Sequence, residues 1–165
     1  MKTLLIVQHS RTGGTLQMAQ AAQRAALAEG AADVVVRLLA APEAEPQDLL
    51  DADGYLFATP ENLAAIAGLM KDFFDRCYYP VLGRIEGRPY AALICAGSDG
   101  SNAARQIERI ATGWRLKRVA PTLIVCTQAQ TPEQILAAKT IAEADLTQCA
   151  ELGAALVAGL ALGVF

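Results

Sequence analysis

The chain has 165 residues, 53% of them hydrophobic and 19% charged, a size and composition that fit one domain spanning residues 1–165 with a sizeable core. A formal net charge of −3 argues against the basic footprint of a nucleic-acid partner and is too mild for an acidic docking face. The first apolar run ends at Val7, too short for a signal-peptide core, and the uncharged run Leu152–Phe165 falls short of the roughly 18 residues of a membrane span, so a soluble chain away from membranes is expected.

Short apolar runs alternate with helical segments along the chain. The strand Thr3–Gln8 leads through a Ser/Thr/Gly loop into the helix Gly14–Glu29, which Gly30 ends. A second strand, Asp33–Leu39, precedes Ala41–Gln47, where Pro42 and Pro46 indicate a surface loop. The strand Gly54–Ala58 and helix Leu63–Tyr78 follow, then the strand Pro89–Ala96, the helix Asn102–Gly113 and the strand Ala120–Thr127. A long helical region starts at Pro132, with Thr131 as N-cap and Gln134 at N3 of a capping box, and should break near Ala144–Leu146 because about 30 residues is long for a globular helix. Strands rich in Val, Ile and Leu, each followed by a helix, predict an α/β fold with a parallel sheet covered on both faces. Internal repeats and low-complexity linkers are not evident.

The loop between the first strand and helix carries the strongest chemical signal: Ser10, Arg11, Thr12, Gly13, Gly14 and Thr15. Two glycines let backbone N–H groups turn inward, three hydroxyls add donors, and the helix N-terminus adds unpaired N–H groups and a positive dipole end. A phosphate monoester suits such a cradle; a strand-to-helix turn that binds nothing has the same composition. The string reads S-x-T-G-x-T and resembles the phosphate loop of flavodoxins and related FMN proteins. It matches neither the G-x-G-x-x-G dinucleotide loop nor the P-loop.

After the third strand come Thr59, Pro60, Glu61, Asn62 and Leu63. In a doubly wound sheet the loops after the first, third and fourth strands meet at the carboxyl edge, where ligands bind. Through Pro60, Glu61, Ile66, Gly68 and Lys71 this stretch resembles the P-E-Y-N-x-x-I-P-G-x-x-K motif of the NAD(P)H-dependent FMN reductase family; Asn62, Leu63 and Ala67 stand where the motif has its aromatic, its Asn and its second Pro. A helix N-cap turn at Thr59–Asn62 is a second reading, compatible with the first. The third loop holds Gly97, Ser98, Asp99 and Gly100, residues that tolerate positive φ and expose N–H groups, although a strand-to-helix loop with Ser101 or Asn102 as N-cap would look alike.

The remaining candidates are weaker. His9 is the lone histidine and carries no assigned role, so catalytic residues stay unassigned. Asp75 and Arg76 read as a solvated helix end, and Tyr78, Tyr79 and Trp114 as packing aromatics that could otherwise close over a cofactor. Cys77, Cys95, Cys126 and Cys149 are widely spaced, which suggests buried reduced thiols, no metal site and a cytoplasmic location.

Together the resemblance implies a flavodoxin-like, doubly wound, five-stranded parallel sheet of order 2-1-3-4-5 with helices on both faces. It implies FMN held by the loops above, and an NAD(P)H-dependent flavin or quinone oxidoreductase working by two-electron hydride transfer, with NADH or NADPH as donor and quinone or flavin as acceptor. The apolar C-terminus and the family's habit of sharing flavin pockets imply a homodimer or higher homo-oligomer. A one-electron carrier of the flavodoxin type and a flavin-free interaction module remain as alternatives.

Overall fold

The computed structural model describes residues 1–29 and 33–165, so the expected helix stop at Gly30 lies outside the described residues. The chain runs β1 (Lys2–Gln8), α1 (Gly14–Glu29), β2 (Val34–Ala40), α2 (Pro46–Asp51), β3 (Gly54–Asn62), β4 (Ala65–Ile66), α3 (Gly68–Val81), β5 (Pro89–Ala96), α4 (Ser101–Gly113), β6 (Lys117–Arg118), β7 (Leu123–Cys126), α5 (Pro132–Leu136) and α6 (Glu143–Leu162). The parallel sheet has the spatial order β2-β1-β3-β5, and both β6 and β7 pair with β5 on its free side. β6 and β7 are therefore one fifth strand in two pieces, interrupted around Pro121, whose missing N–H cannot join the ladder. The flavodoxin-like sheet expected from the sequence is present, with the short β4 folded antiparallel onto the end of β3.

Alternation along each strand builds the two layers. Leu5, Val7, Tyr55, Phe57, Tyr90, Ala92 and Ile94 face α2, α3 and α4, whereas Leu4, Ile6, Leu56, Ala58, Ala91, Leu93 and Cys95 face α1 and α6. Phe57 centres the first layer, its ring 5.3 Å from Phe74 and 6.5 Å from Trp114. Trp114 is fully buried, and its indole N–H donates to the Tyr78 carbonyl at 3.0 Å, so it is a packing residue. In the second layer α6 lies along α1, where Gly153 allows the helices to close: a Cβ there would collide with the Ala22 backbone. α6 is long and apolar enough by composition to cross a bilayer, yet it buries Cys149, Gly153, Leu156, Val157 and Leu160 in this layer.

Several boundaries differ from expectation, each for a local reason. The loop expected at 41–47 ends at 45, and α2 takes its last two residues: Pro46 sits in the first turn, and Asp48 accepts from the Glu45 N–H at 2.8 Å. Residues 59–62 continue β3 as a hairpin arm instead of capping a helix, and α3 starts at Gly68. The helix break falls at residues 137–142, before the expected 144–146. The capping box of Thr131 and Gln134 forms, with the Gln134 N–H donating to Thr131 Oγ1 at 3.2 Å. Arg76 is no solvated end: its guanidinium donates to the carbonyls of Ala41 at 2.9 Å and Ala44 at 3.0 Å, tying α3 to the chain before α2.

Candidate functional site

The loops after β1, β3 and β5 open on one cavity of about 390 Å³ at the carboxyl edge of the sheet. Among the residues singled out in the sequence, Ser10, Arg11, Thr12, Gly14, Thr15, Pro60, Glu61, Asn62, Leu63, Gly97 and Ser98 line it. Gly13, Thr59, Asp99 and Gly100 are not among the residues that line it. Gly13 turns the first loop at φ +93°, and its N–H donates to Ser10 Oγ at 3.1 Å. Thr59 is fully buried, and its hydroxyl donates to the Pro60 carbonyl at 3.0 Å and accepts from the Ala67 N–H at 3.2 Å. Asp99 accepts from the Ser101 hydroxyl at 2.8 Å, while Gly100, at φ +83°, holds the N-cap position of α4 that the sequence suggested for Ser101 or Asn102.

The first loop meets the first turn of α1, whose leading N–H groups have no intrahelical acceptor. A Cβ at Gly14 would lie 2.7 Å from the Cys95 sulfur and 3.3 Å from Ile141 Cδ1, so only glycine brings the loop this close to the sheet. Three buried side-chain oxygens lack a hydrogen-bond partner among the described residues: Gln8 Oε1, Thr15 Oγ1 and Glu61 Oε2. The last two belong to the cavity wall. Beside Thr15, burial pushes the Cys95 thiol up and the Thr15 hydroxyl acts weakly against that shift, so the thiol stays protonated and offers Thr15 a poor sulfur acceptor outside hydrogen-bond geometry. Burial, and then the Arg11 guanidinium, push the His9 imidazole below its ordinary value, which leaves that ring neutral at pH 7.

The second wall is a tight hairpin. Leu63 and Ala64 turn it at φ 50° and 61°, a left-handed pair built without Gly or Asn, and Leu63 is fully exposed at the tip. Helix α4 supports it from behind: Asn102 Nδ2 donates to the Ala64 carbonyl at 2.6 Å, and the Ile66 N–H donates to Gln106 Oε1 at 2.9 Å. Among the described residues, no aromatic side chain lines the cavity. Tyr79 is 78% exposed on α3, and Tyr78 stacks on Trp114.

The sequence reading did not include a third contribution, from Cys95, Ala96, Thr127, Ala129, Ile135 and Lys139. The segment around Lys139 is fastened to the first loop, because the Lys139 N–H donates to the Thr12 carbonyl at 2.8 Å. Lys139 Nζ donates to the carbonyls that end α5, Gln134 at 2.8 Å and Ile135 at 2.9 Å, which occupies its N–H donors while its positive charge stays at the cavity wall. Arg11, exposed at the mouth, is in no ion pair among the described residues.

Residues 1–130 match the sequence profile of NADPH-dependent FMN reductases. The chain belongs to that family. A flavodoxin of Aquifex aeolicus is 35% identical over 103 residues, 61% of this chain and 53% of the relative. An NAD(P)H dehydrogenase (quinone) of Acidithiobacillus ferrooxidans is 33% identical over 94 residues, 46% of this chain and 47% of the relative. The chain thus spans about half the length of the curated relatives it matches. The solved flavodoxin, WrbA-like protein from Agrobacterium tumefaciens superposes with a TM-score of 0.75 at 17% identity, covering 98% of this chain and 99% of that one, a likeness of fold.

FMN is the cofactor of FMN reductases, and the residues present fit it. A phosphate at the start of α1 would meet helix N–H groups, the dipole end and the unpartnered Thr15 hydroxyl. The apolar and backbone-rich remainder of the cavity, from Pro60 to Ile135, suits a flat ring.

Proposed function

We propose that this chain binds FMN and works as an NAD(P)H-dependent flavin or quinone oxidoreductase by two-electron hydride transfer. The observation that carries the reading is the convergence of the three strand-end loops on one cavity whose phosphate-loop end holds a buried, unpartnered hydroxyl on Thr15. Family membership supports the same chemistry. Bound FMN supplies the hydride chemistry; the protein supplies position and electrostatics.

In this reading Ser10, Thr12 and Thr15 donate to the phosphate with the N–H groups of the 10–15 loop, and Arg11 adds a cation at the mouth. Pro60, Asn62, Leu63, Gly97 and Ser98 line the ring end, with Thr59, Asp99 and Gly100 fixing those loops from behind. The absence of aromatic side chains from the wall among the described residues favours a reductase over a one-electron carrier, since a second planar ligand such as a nicotinamide or a quinone has a face left to stack on. The fully buried Trp114 and outward Tyr79 do not close that face.

A homo-oligomer and a cytoplasmic location complete the proposal. Leu63 at the cavity rim, and the apolar groove of about 350 Å³ that Val119, Leu152, Leu162 and Val164 help to line, are surfaces a second copy would cover. The four free thiols support a reducing compartment, with Cys126 half-buried and the other three buried. Light scattering of the FMN-loaded protein should report at least a dimer, and a monomeric mass would refute that part. For the function itself, purified protein should carry or take up one FMN per chain; failure to bind added FMN would refute it.

A further inference from the structure

Among the described residues, two cationic side chains line the cavity, Arg11 of the 10–15 loop and Lys139. Lys139 lies beyond residues 1–130, which match the family profile, in the segment that joins α5 to α6. Its backbone is fixed against the phosphate loop. The N–H donates to the Thr12 carbonyl at 2.8 Å, the carbonyl accepts from Gln17 Nε2 at 2.7 Å, and Lys139 Cβ would stand 3.4 Å from a Cβ placed on Gly14. One four-carbon stem away, the ammonium donates to the carbonyls of Gln134, Ile135 and Ala137, which hold it in place. Its charge is felt in the cavity wall, where it opposes the rise that burial imposes on the Cys95 thiol.

Resting on the FMN reading above, we infer that Lys139 is a fixed countercharge for the FMN phosphate, acting through space from outside the phosphate loop and adding to the preference for FMN over riboflavin. A phosphate monoester carries about −1.5 to −2 charges at pH 7. The N–H groups and hydroxyls of the 10–15 loop solvate that charge without neutralising it. Arg11, the cation of that loop, is exposed at the mouth, where water and salt screen it. Lys139 is half-buried and already held, so its attraction is screened less and no side chain has to be ordered when the ligand binds. With its three N–H groups on carbonyls it has no hydrogen bond left to donate, and what it offers the phosphate is charge alone. The hydrogen bonds to α5 alone would suit a helix cap; the ties of the same residue to Thr12 and Gln17 bring that charge to the phosphate loop.

The test titrates the full chain with FMN and with riboflavin at low and at high salt. Wild type should prefer FMN, and the preference should narrow as salt rises. Lys139→Gln should lose about tenfold in FMN affinity, hold riboflavin affinity within about twofold and flatten the salt dependence of FMN binding. Lys139→Met, a second variant without the charge, should behave alike, and Lys139→Arg, which keeps the charge, should retain the wild-type ratio of the two flavins. A helix cap would give a different pattern. Equal losses for both flavins in the uncharged variants, or a flavin ratio and salt dependence unchanged from wild type, would overturn the role of the Lys139 charge alone. Wild type that binds no FMN, or binds FMN and riboflavin alike, would overturn the underlying reading with it.

Discussion

The side chain of Gln17 clasps the backbone at Lys139. Its Nε2 donates to the Lys139 carbonyl at 2.7 Å and to the Gly13 carbonyl at 3.0 Å, and its Oε1 accepts from the Ile141 N–H at 3.1 Å. One amide on the first turn of α1 therefore joins the phosphate loop to the segment between α5 and α6, which brings Ile135 and Lys139 to the cavity. Gln17→Ala leaves a carbonyl and an N–H in that segment unpaired, at a cost of about 1–3 kcal/mol. Urea unfolding should show that loss, and FMN titration should show weaker binding. An unchanged midpoint with unchanged affinity would mean the clasp holds nothing.

Thr15→Val separates ligand binding from stability. A buried hydroxyl with only a thiol beside it contributes little to the fold, so its removal should leave stability equal or raise it by up to about 1 kcal/mol. If the hydroxyl serves a phosphate, FMN affinity should fall about tenfold while riboflavin affinity stays as it was. The same logic makes wild type prefer FMN to riboflavin by orders of magnitude, since each charge-assisted hydrogen bond to phosphate is worth about 1.5–3 kcal/mol. Calorimetry with the two flavins checks both statements, and Thr12→Ala should weaken FMN binding in the same direction.

Stability should decline in mild alkali. Burial pushes the thiols of Cys77 and Cys149 up to about 11 from an unfolded value of 9.0. Below pH 9 both states are protonated and the stability is fully present; above it the unfolded chain loses protons first, so stability falls as pH rises toward 11. Each thiol accounts for about 2–3 kcal/mol across that window. Urea unfolding under reducing conditions should show the slope, and Cys149→Ala should reduce it while leaving the share of Cys77 and of the other raised groups, Cys95 and Tyr55 among them. A flat profile between pH 8.5 and 10.5 would contradict this account of the two buried thiols.

What the sequence made legible was local. The 10–15 loop and the Thr131 capping box carry their chemistry in adjacent residues, and the structure places them where the spacing implied. The 59–62 arm was harder, because Thr, Pro, Glu and Asn in a row serve a cap as well as a hairpin, and the turn at Leu63 and Ala64 lacks the Gly or Asn that signals left-handed backbone. Helix α2 did carry a signal, Pro46 followed by Asp48 at N3, which two prolines in one short stretch obscured. Lys139 and Ile135 could not be read at all: their place depends on hydrogen bonds from Gln17 across 122 and 124 residues, which no neighbouring pattern encodes.

The central claim, that this cavity runs nicotinamide-dependent flavin chemistry, is tested most directly by anaerobic titration of the FMN-loaded protein with NADPH and with NADH. Smooth loss of the oxidised flavin absorbance, complete at about one equivalent of at least one nicotinamide, is the expected result, with reoxidation on adding a quinone or free flavin. A flavin that stays oxidised with both nicotinamides, yet is reduced by dithionite, would contradict the claim and leave an electron carrier in its place.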